Sequence, residues 1–378
     1  MTSVLIFIDW FWPGYKAGGP VRSLLNLTEQ LSNEYAFHIV TRNTDYMSSK
    51  PYANVRANEW NEIRKNIHVY YISRDHLCRK TILSFIRGSY DKIYINGIYS
   101  FYFSIVPVYY SRIYRKKHMV APRGMLSDQT FSAKKWLKKL FFVFCRLTRL
   151  YRKAEFHATM ERESRDIQKN LGIPEKNIFL APNLPRKHLP GKLPGREKIP
   201  GNLRLVSIAR ISPEKNTGYA IDILRHVNKG EVIFDIFGEI YNQEYWKSCK
   251  HLIQDLPGNI KVTHKGSIHA DNIPELLMDY HFMLMPTQGE NFGHSILESL
   301  MAGCPVIISD KTPWRDLAAD NAGWDIPLEQ KARFGSVVKH CLDMDHEKYV
   351  KWSAGALDKA RKFFSNKQLL IDSKKLFQ

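Results

Sequence analysis

Two glutamates, Glu290 and Glu298, stand eight positions apart in the segment Pro286-Thr-Gln-Gly-Glu-Asn-Phe-Gly-His-Ser-Ile-Leu-Glu-Ser-Leu-Met-Ala-Gly-Cys-Pro305. An ionised carboxylate only accepts hydrogen bonds, so such a pair suits a ligand rich in hydroxyls, such as a ribose and a sugar. The glycines add a second capability. A glycine-rich turn from strand to helix presents free backbone N–H groups at the positive end of the helix, which suits a phosphate or a sugar hydroxyl. The plain alternative is a pair of solvated glutamates on a surface helix. Asn291, Phe292 and Gly293 between the two, and Ala302-Gly-Cys-Pro-Val306 after them, weigh against it.

The elements that must hold these side chains can be read on either side. The apolar run His281–Met285 predicts a buried strand, and the β-branched run from Pro305 to Ser309 predicts another. Between them Gly293–Ala302 predicts a helix with Ile296, Leu297, Leu300 and Met301 on one side. At about 100° per residue, Glu298 falls away from the centre of that apolar stripe.

The segment 286–305 resembles the signature of the retaining glycosyltransferases of family 4, whose donor site holds two glutamates separated by seven residues. Thr312-Pro-Trp314 is similar to a branch of that family associated with bacterial surface polysaccharides. The resemblance implies the α/β GT-B fold, two doubly wound Rossmann-like domains facing across a cleft. It implies that Glu298 binds the ribose and Glu290 the transferred sugar, with backbone groups of Asn291, Phe292 and Gly293 nearby.

Other residues join the same chemistry. Arg210 and Lys215 lie in Ala209-Arg-Ile-Ser-Pro-Glu-Lys-Asn216, after the strand expected at Leu203–Ile208, and resemble the family's R-x-x-P-E-K segment. A departing nucleoside diphosphate gains negative charge, and fixed cations aimed at it lower the barrier. An arginine holds two phosphate oxygens in a planar fork and a lysine adds a point charge. Gly18 and Gly19, in Trp12-Pro-Gly-Tyr-Lys-Ala-Gly-Gly-Pro20, resemble the family's amino-terminal glycine loop, which approaches donor phosphates and acceptor. Arg22 follows as an acceptor or phosphate contact. Arg123, in Pro122-Arg-Gly-Met-Leu126, stands where many relatives carry a histidine that contacts the donor sugar. It is expected to line the cleft as a sugar or acceptor contact, or else to serve the fold. Gly238 looks like the family's turn beside the nucleotide base, and Asn183 like its Pro-Asn near the hinge.

Length and composition agree with this organisation. A chain of 378 residues with 44% hydrophobic content fits two globular domains of about 180 residues each. Strand and helix patterns alternate in both halves, which predicts parallel sheets covered on both faces. The proline-rich stretch from Pro182 to Gly201 cannot sustain a helix or a central strand. We therefore expect a first domain over 1–185, a linker over 186–201 and a donor domain over 202–350. The resemblance implies that a C-terminal helix over 351–378 returns to the first domain.

Charge and cysteine content bear on partners. Five scattered cysteines with no C-x-x-C pair support neither a disulfide framework nor a zinc site. No metal or cofactor is expected, since Arg210 and Lys215 supply the charge that a metal otherwise would. The formal charge is +19. Thirteen Lys or Arg residues but a single acidic residue, Asp128, lie between Arg112 and Lys153. The stretch 131–153 interleaves those cations with aromatic residues, so it suits an anionic membrane surface, or else is a core helix whose lysines face water. No apolar run is long enough to span a membrane.

The reading is a metal-independent retaining hexosyltransferase, cytoplasmic or peripheral on the inner membrane face. Its donor is a nucleotide-diphosphate sugar and its acceptor a saccharide, lipid-linked, in bacterial surface-polysaccharide assembly (O-antigen, capsule or exopolysaccharide). The rivals are a non-catalytic GT-B scaffold of a polysaccharide assembly complex and a basic nucleic-acid-binding protein. No recognition motif supports nucleic acid as a partner.

Overall fold

The computed structural model describes residues 1–127, 135–187 and 195–378. Part of the expected linker and the start of the stretch 131–153 lie outside the described residues. The chain forms two compact units, Met1–Lys187 with Lys367–Gln378, and His188–Asn366.

The first unit is built from β1 (Thr2–Phe7), α1 (Gly19–Leu31), β2 (Tyr35–Arg42), β3 (Trp60–Arg64), β4 (Ile67–Ile72), α2 (Arg79–Ile86) and β5 (Lys92–Asn96). It continues through α3 (Val106–Ile113), β6 (His118–Ala121), α4 (Lys135–Leu147), β7 (Glu155–Ala158), α5 (Glu161–Leu171) and β8 (Ile178–Leu180). The strands pair in the order β3-β4-β2-β1-β5-β6-β7-β8. All pairs are parallel except the edge pair β3–β4. Central strands such as Val4–Phe7 are fully buried, because crossover helices cover both faces of a parallel sheet.

The second unit contains β9 (Asn202–Ile208), α6 (Thr217–Leu224), β10 (Glu231–Phe237), α7 (Gln243–Gln254), β11 (Ile260–His264) and α8 (Ile273–Leu277). Then come β12 (Phe282–Met285), α9 (His294–Met301), β13 (Val306–Ser309), β14 (Gly323–Ile326), α10 (Lys331–Asp343) and α11 (His346–Phe364). Its six strands are all parallel in the order β11-β10-β9-β12-β13-β14. Alternation along β9 sends Leu203 and Leu205 into one apolar cluster and Val206 and Ile208 into another, one on each face.

The tail divides between the units. α11 is a single helix of 19 residues that opens on Asp345, whose Oδ1 accepts the Lys348 N–H at 2.8 Å. It packs on α9 through buried Ala356 and Ala360, and Ser353 donates to the Gly303 carbonyl at 2.6 Å. Residues 351–366 therefore stay with the second unit. Only the segment that begins with α12 (Lys367–Lys375) belongs to the first. There Phe377 packs among Tyr35, Phe37 and Tyr94, and Lys374 pairs with Glu34 at 2.6 Å.

Candidate functional site

In the second sheet the strand order reverses direction between the neighbours β9 and β12. Loops leaving the carboxyl ends of two such strands diverge to opposite faces and open a crevice, the usual ligand position of doubly wound sheets. The cation segment 209–216 follows β9, and the glutamate segment 286–293 follows β12. Residues far apart in sequence thus meet at one point.

Backbone and amide hydrogen bonds latch the two loops together. The Glu214 carbonyl accepts the Gln288 N–H at 2.9 Å and the Thr287 hydroxyl at 3.0 Å. Asn216 donates its side-chain amide to the Pro286 carbonyl at 2.9 Å. It does so from a left-handed backbone, φ +61°, which asparagine tolerates better than most residues. Lys215, held between these anchors, places Nζ 2.5 Å from Oε1 of Glu290. The two side chains are only 16% and 14% exposed. Glu290 is fixed from its other side by its own N–H, which donates to the Lys311 carbonyl at 3.1 Å. The pair is therefore preorganised rather than a fluctuating surface contact.

Beyond Glu290 the loop carries unspent donors. Among the described residues the N–H groups of Asn291, Phe292 and Gly293 make no hydrogen bond, and the buried amide nitrogen of Asn291 has no acceptor. Buried donors are rarely left alone, so such a group marks a place for an acceptor atom from outside the protein. Gly293 takes φ +78°, and a Cβ there would lie 2.7 Å from Ile296 Cδ1. Phe292 also serves the fold. Its carbonyl accepts from Trp314 Nε1 at 2.6 Å, and its ring packs against Trp314 and Phe363. Its N–H remains for a ligand, as does the second lone pair of its carbonyl oxygen. Glu298, a turn into α9, is 6% exposed, which rules out the solvated-glutamate alternative.

Arg210 differs from its neighbours in having room. Its side chain is 37% exposed, 3.9 Å from Glu214 Oε1, and lies over the Tyr241 ring at 5.0 Å. Among the described residues no hydrogen bond engages its guanidinium. Gly238 packs against the backbone that joins Ala209 to Arg210. A Cβ at that position would sit 1.9 Å from the Ala209 carbonyl oxygen, and φ is +151°. The strand ends of β9 and β10 could not close under Arg210 with any larger residue.

The first-unit residues are placed differently. Gly18 precedes α1 at φ +76° with no side-chain cap, and open space surrounds its missing Cβ. Gly19 is exposed in the first turn, and Arg22 is partly buried one turn further on. The loop is moored at Asp45, whose Oδ2 accepts the N–H groups of Tyr15 and Lys16. Of the two roles expected for Arg123, the contacts present are those of the structural one. Arg123 donates from Nε to Asn96 at 2.8 Å, and from its two terminal nitrogens to Asn183 at 2.8 Å and to the Tyr94 hydroxyl at 2.9 Å. His157 completes the network, with Nδ1 2.6 Å from the Tyr94 hydroxyl and Nε2 2.7 Å from the Ala181 carbonyl. A carbonyl can only accept, so Nε2 carries the proton and Tyr94 donates to Nδ1. Burial and the nearby Arg123 charge hold the His157 pKa down to about 3, so the ring is neutral. Asn183, likened in the sequence to a Pro-Asn near the hinge, is a buried acceptor of this hub.

Sequence reasoning missed the latch residues Thr287 and Asn216, the ring of Tyr241 and the carbonyl of Lys311. Only Asn216 had a signal, an asparagine between a proline-led turn and a helix. Among the described residues no group of three or more His, Cys, Asp or Glu is placed to hold a metal ion.

Comparison with known proteins bears on the fold. Residues 194–358 match the model of the family described as glycosyl transferases group 1. No curated protein matches the chain in sequence. Among solved structures, sucrose-phosphate synthase from Thermosynechococcus elongatus superposes with a TM-score of 0.71 at 14% identity. HepE from Anabaena, in complex with UDP-glucose, superposes at 0.70 and 17%. WaaG, a glycosyltransferase involved in lipopolysaccharide biosynthesis, superposes at 0.60 and 12%. Each match covers 100% of this chain and 98% of the other. The architecture is that of GT-B, two Rossmann-like units with parallel sheets.

Proposed function

We propose that the chain is a glycosyltransferase whose second unit binds a nucleotide-sugar donor at the β9–β12 switch point. The observation that carries this reading is the meeting there of the Lys215–Glu290 pair, the open Arg210 and unspent N–H donors. In the transfer, the bond between the anomeric carbon and the diphosphate oxygen breaks and its electron pair leaves on the diphosphate. The acceptor hydroxyl oxygen forms the new bond to the anomeric carbon, and its proton passes to the departing diphosphate oxygen. Arg210 and Lys215 neutralise the charge that appears on the diphosphate, in a partly dry site where a fixed cation counts for more than in water. Glu290 turns its free oxygen to a sugar hydroxyl, Glu298 takes the ribose, and the amides of Asn291–Gly293 bind oxygen atoms of the donor. The cations do the work of a metal, so transfer runs without one. The loop of Gly18 and Gly19 offers the open N-terminus of α1 to phosphate or acceptor, with Arg22 beside it.

The finer reading is a retaining family 4 hexosyltransferase of bacterial surface-polysaccharide assembly with a lipid-linked acceptor. It rests on the two-glutamate signature and on the likeness to HepE and WaaG. The test is nucleotide release from a panel of nucleotide hexoses, with and without EDTA. One donor turned over equally in EDTA, and lost in Lys215→Ala, is the expected result. Turnover that needs a divalent ion, or that survives in Lys215→Ala, contradicts it.

A further inference from the structure

Helix α4 has two apolar faces, and one of them meets solvent. Phe142 and Cys145 are buried against the first unit's core. On the opposite side Trp136, Leu137, Leu140, Val143, Phe144 and Leu147 are exposed, Trp136 by 61% and Leu147 by 80%. At roughly 100° per residue these six fill an arc of about 120°, centred nearly opposite Cys145. A helix serving only the core would put its charged residues there. Instead Lys138 turns inward to donate to the Ser127 carbonyl at 2.6 Å. Lys139 and Arg146 border the apolar arc, and exposed Arg149, Arg152 and Lys153 follow the helix. The sequence from 129 to 154 contains no Asp or Glu. Arg112 of α3 donates to the carbonyls of Thr148 and Arg149, which ties the end of α4 to the fold.

We propose that this face docks the protein in plane on an anionic lipid bilayer. An exposed aromatic-aliphatic arc bordered by cations suits the boundary between headgroups and acyl chains: the arc enters the acyl region and the lysines and arginines meet lipid phosphates. The absence of acidic residues along the stretch matches a negative surface. No helix of the described residues is long and apolar enough to cross the membrane, so attachment is peripheral. A lipid-linked acceptor gives the docking a purpose, and in that respect it rests on the proposed function. The surface argument itself is independent of the donor site.

The test is flotation of the full chain with vesicles of phosphatidylglycerol and phosphatidylethanolamine, against phosphatidylcholine alone. The protein is expected to float with the anionic vesicles only, and less as salt rises. Leu140→Ser with Leu147→Ser should weaken partitioning by about tenfold or more, since both side chains leave the acyl boundary. Lys139→Glu with Arg149→Glu should weaken it by at least about tenfold at low salt. All four positions are exposed, so the melting temperature and the nucleotide-induced shift should remain, which separates failed docking from a failed fold or a failed donor site. No flotation at low salt overturns the proposal. So does concentration-dependent self-association abolished by the two serine substitutions, which would assign the face to a second copy of the chain.

Discussion

Arg123 in the first unit and Arg210 in the second both follow a sheet strand, and both resemble positions used for ligands. They differ in what remains for a ligand to take. Arg123 spends its three nitrogens on Asn96, Asn183 and Tyr94, inside a network that also satisfies His157. Arg210 keeps its guanidinium over Tyr241 with no hydrogen bond among the described residues. A buried polar group is expensive unless paired, so a saturated arginine is a structural member. An unsaturated one beside other unspent donors still has capacity for a ligand. Hydrogen-bond accounting, more than residue type, separates the two.

The sharpest way to break that contrast is to truncate both. Arg210→Ala should lower kcat by about a hundredfold to a thousandfold, the usual cost of one charge-stabilising donor, and leave the melting temperature nearly unchanged. Arg123→Ala strands Asn96, Asn183 and Tyr94. It should lower the melting temperature by about 5–10 °C, for a loss of about 2–3 kcal/mol. Arg123→Lys should not rescue it, because an ammonium cannot reach three divergent acceptors in a plane. If Arg123→Ala instead melts normally and loses turnover, the contrast fails.

Smaller effects sharpen the picture of the donor site. Glu298→Gln should weaken nucleotide binding by about tenfold to a hundredfold, the range of a hydrogen bond to a charged group, as read by calorimetric titration. Asn216→Gly keeps the left-handed backbone but cuts the amide link to Pro286. It should cost about tenfold in kcat through misplacement of Lys215, with KM little changed and melting nearly intact.

The smallest expected effect concerns pH and the first-unit hub. His157 has its pKa held at about 3 in the fold against the ordinary 6.5. Below pH 6.5 the unfolded chain binds a proton that the folded chain refuses. This contribution is therefore whole above pH 6.5 and is lost as pH falls toward 3. His281 in the second unit, held at about 4, acts with the same sign. The comparison is thus between wild type and His157→Gln, whose melting temperature should fall less steeply between pH 7 and 5.

The fold and the second-unit site were legible in unequal measure. Apolar runs such as Leu203–Ile208 and Pro305–Ser309 announced buried strands, and they coincide with β9 and β13 to within a residue. Short or polar elements escaped notice. β8 has three residues, β14 reads Gly-Trp-Asp-Ile, and α5 anchors its eleven residues with little more than Ile167 and Leu171. The pairing of Lys215 with Glu290 was hidden because sequence spacing says nothing about which loops share a switch point. The role of Arg123 stayed open in the sequence for a related reason. Two of its acceptors, Tyr94 and Asn96, come from β5 and the third, Asn183, from the segment after β8, so its saturation exists only in three dimensions. The end of α11 was likewise invisible, since Ala356 and Ala360 read as ordinary helix until α9 is placed beneath them.

The most direct test of the donor-site assignment is thermal unfolding of the wild type, Arg210→Ala, Glu298→Ala and Arg123→Ala with UDP, GDP or CMP and no metal. A nucleotide at 100 times its dissociation constant stabilises the fold it binds by about 2.7 kcal/mol. The account expects a clear shift with one nucleotide, kept by Arg123→Ala from its lower starting point and lost in Arg210→Ala and Glu298→Ala. A shift that persists in the two second-unit variants and vanishes in Arg123→Ala would contradict it, as would no shift with any nucleotide at millimolar concentration.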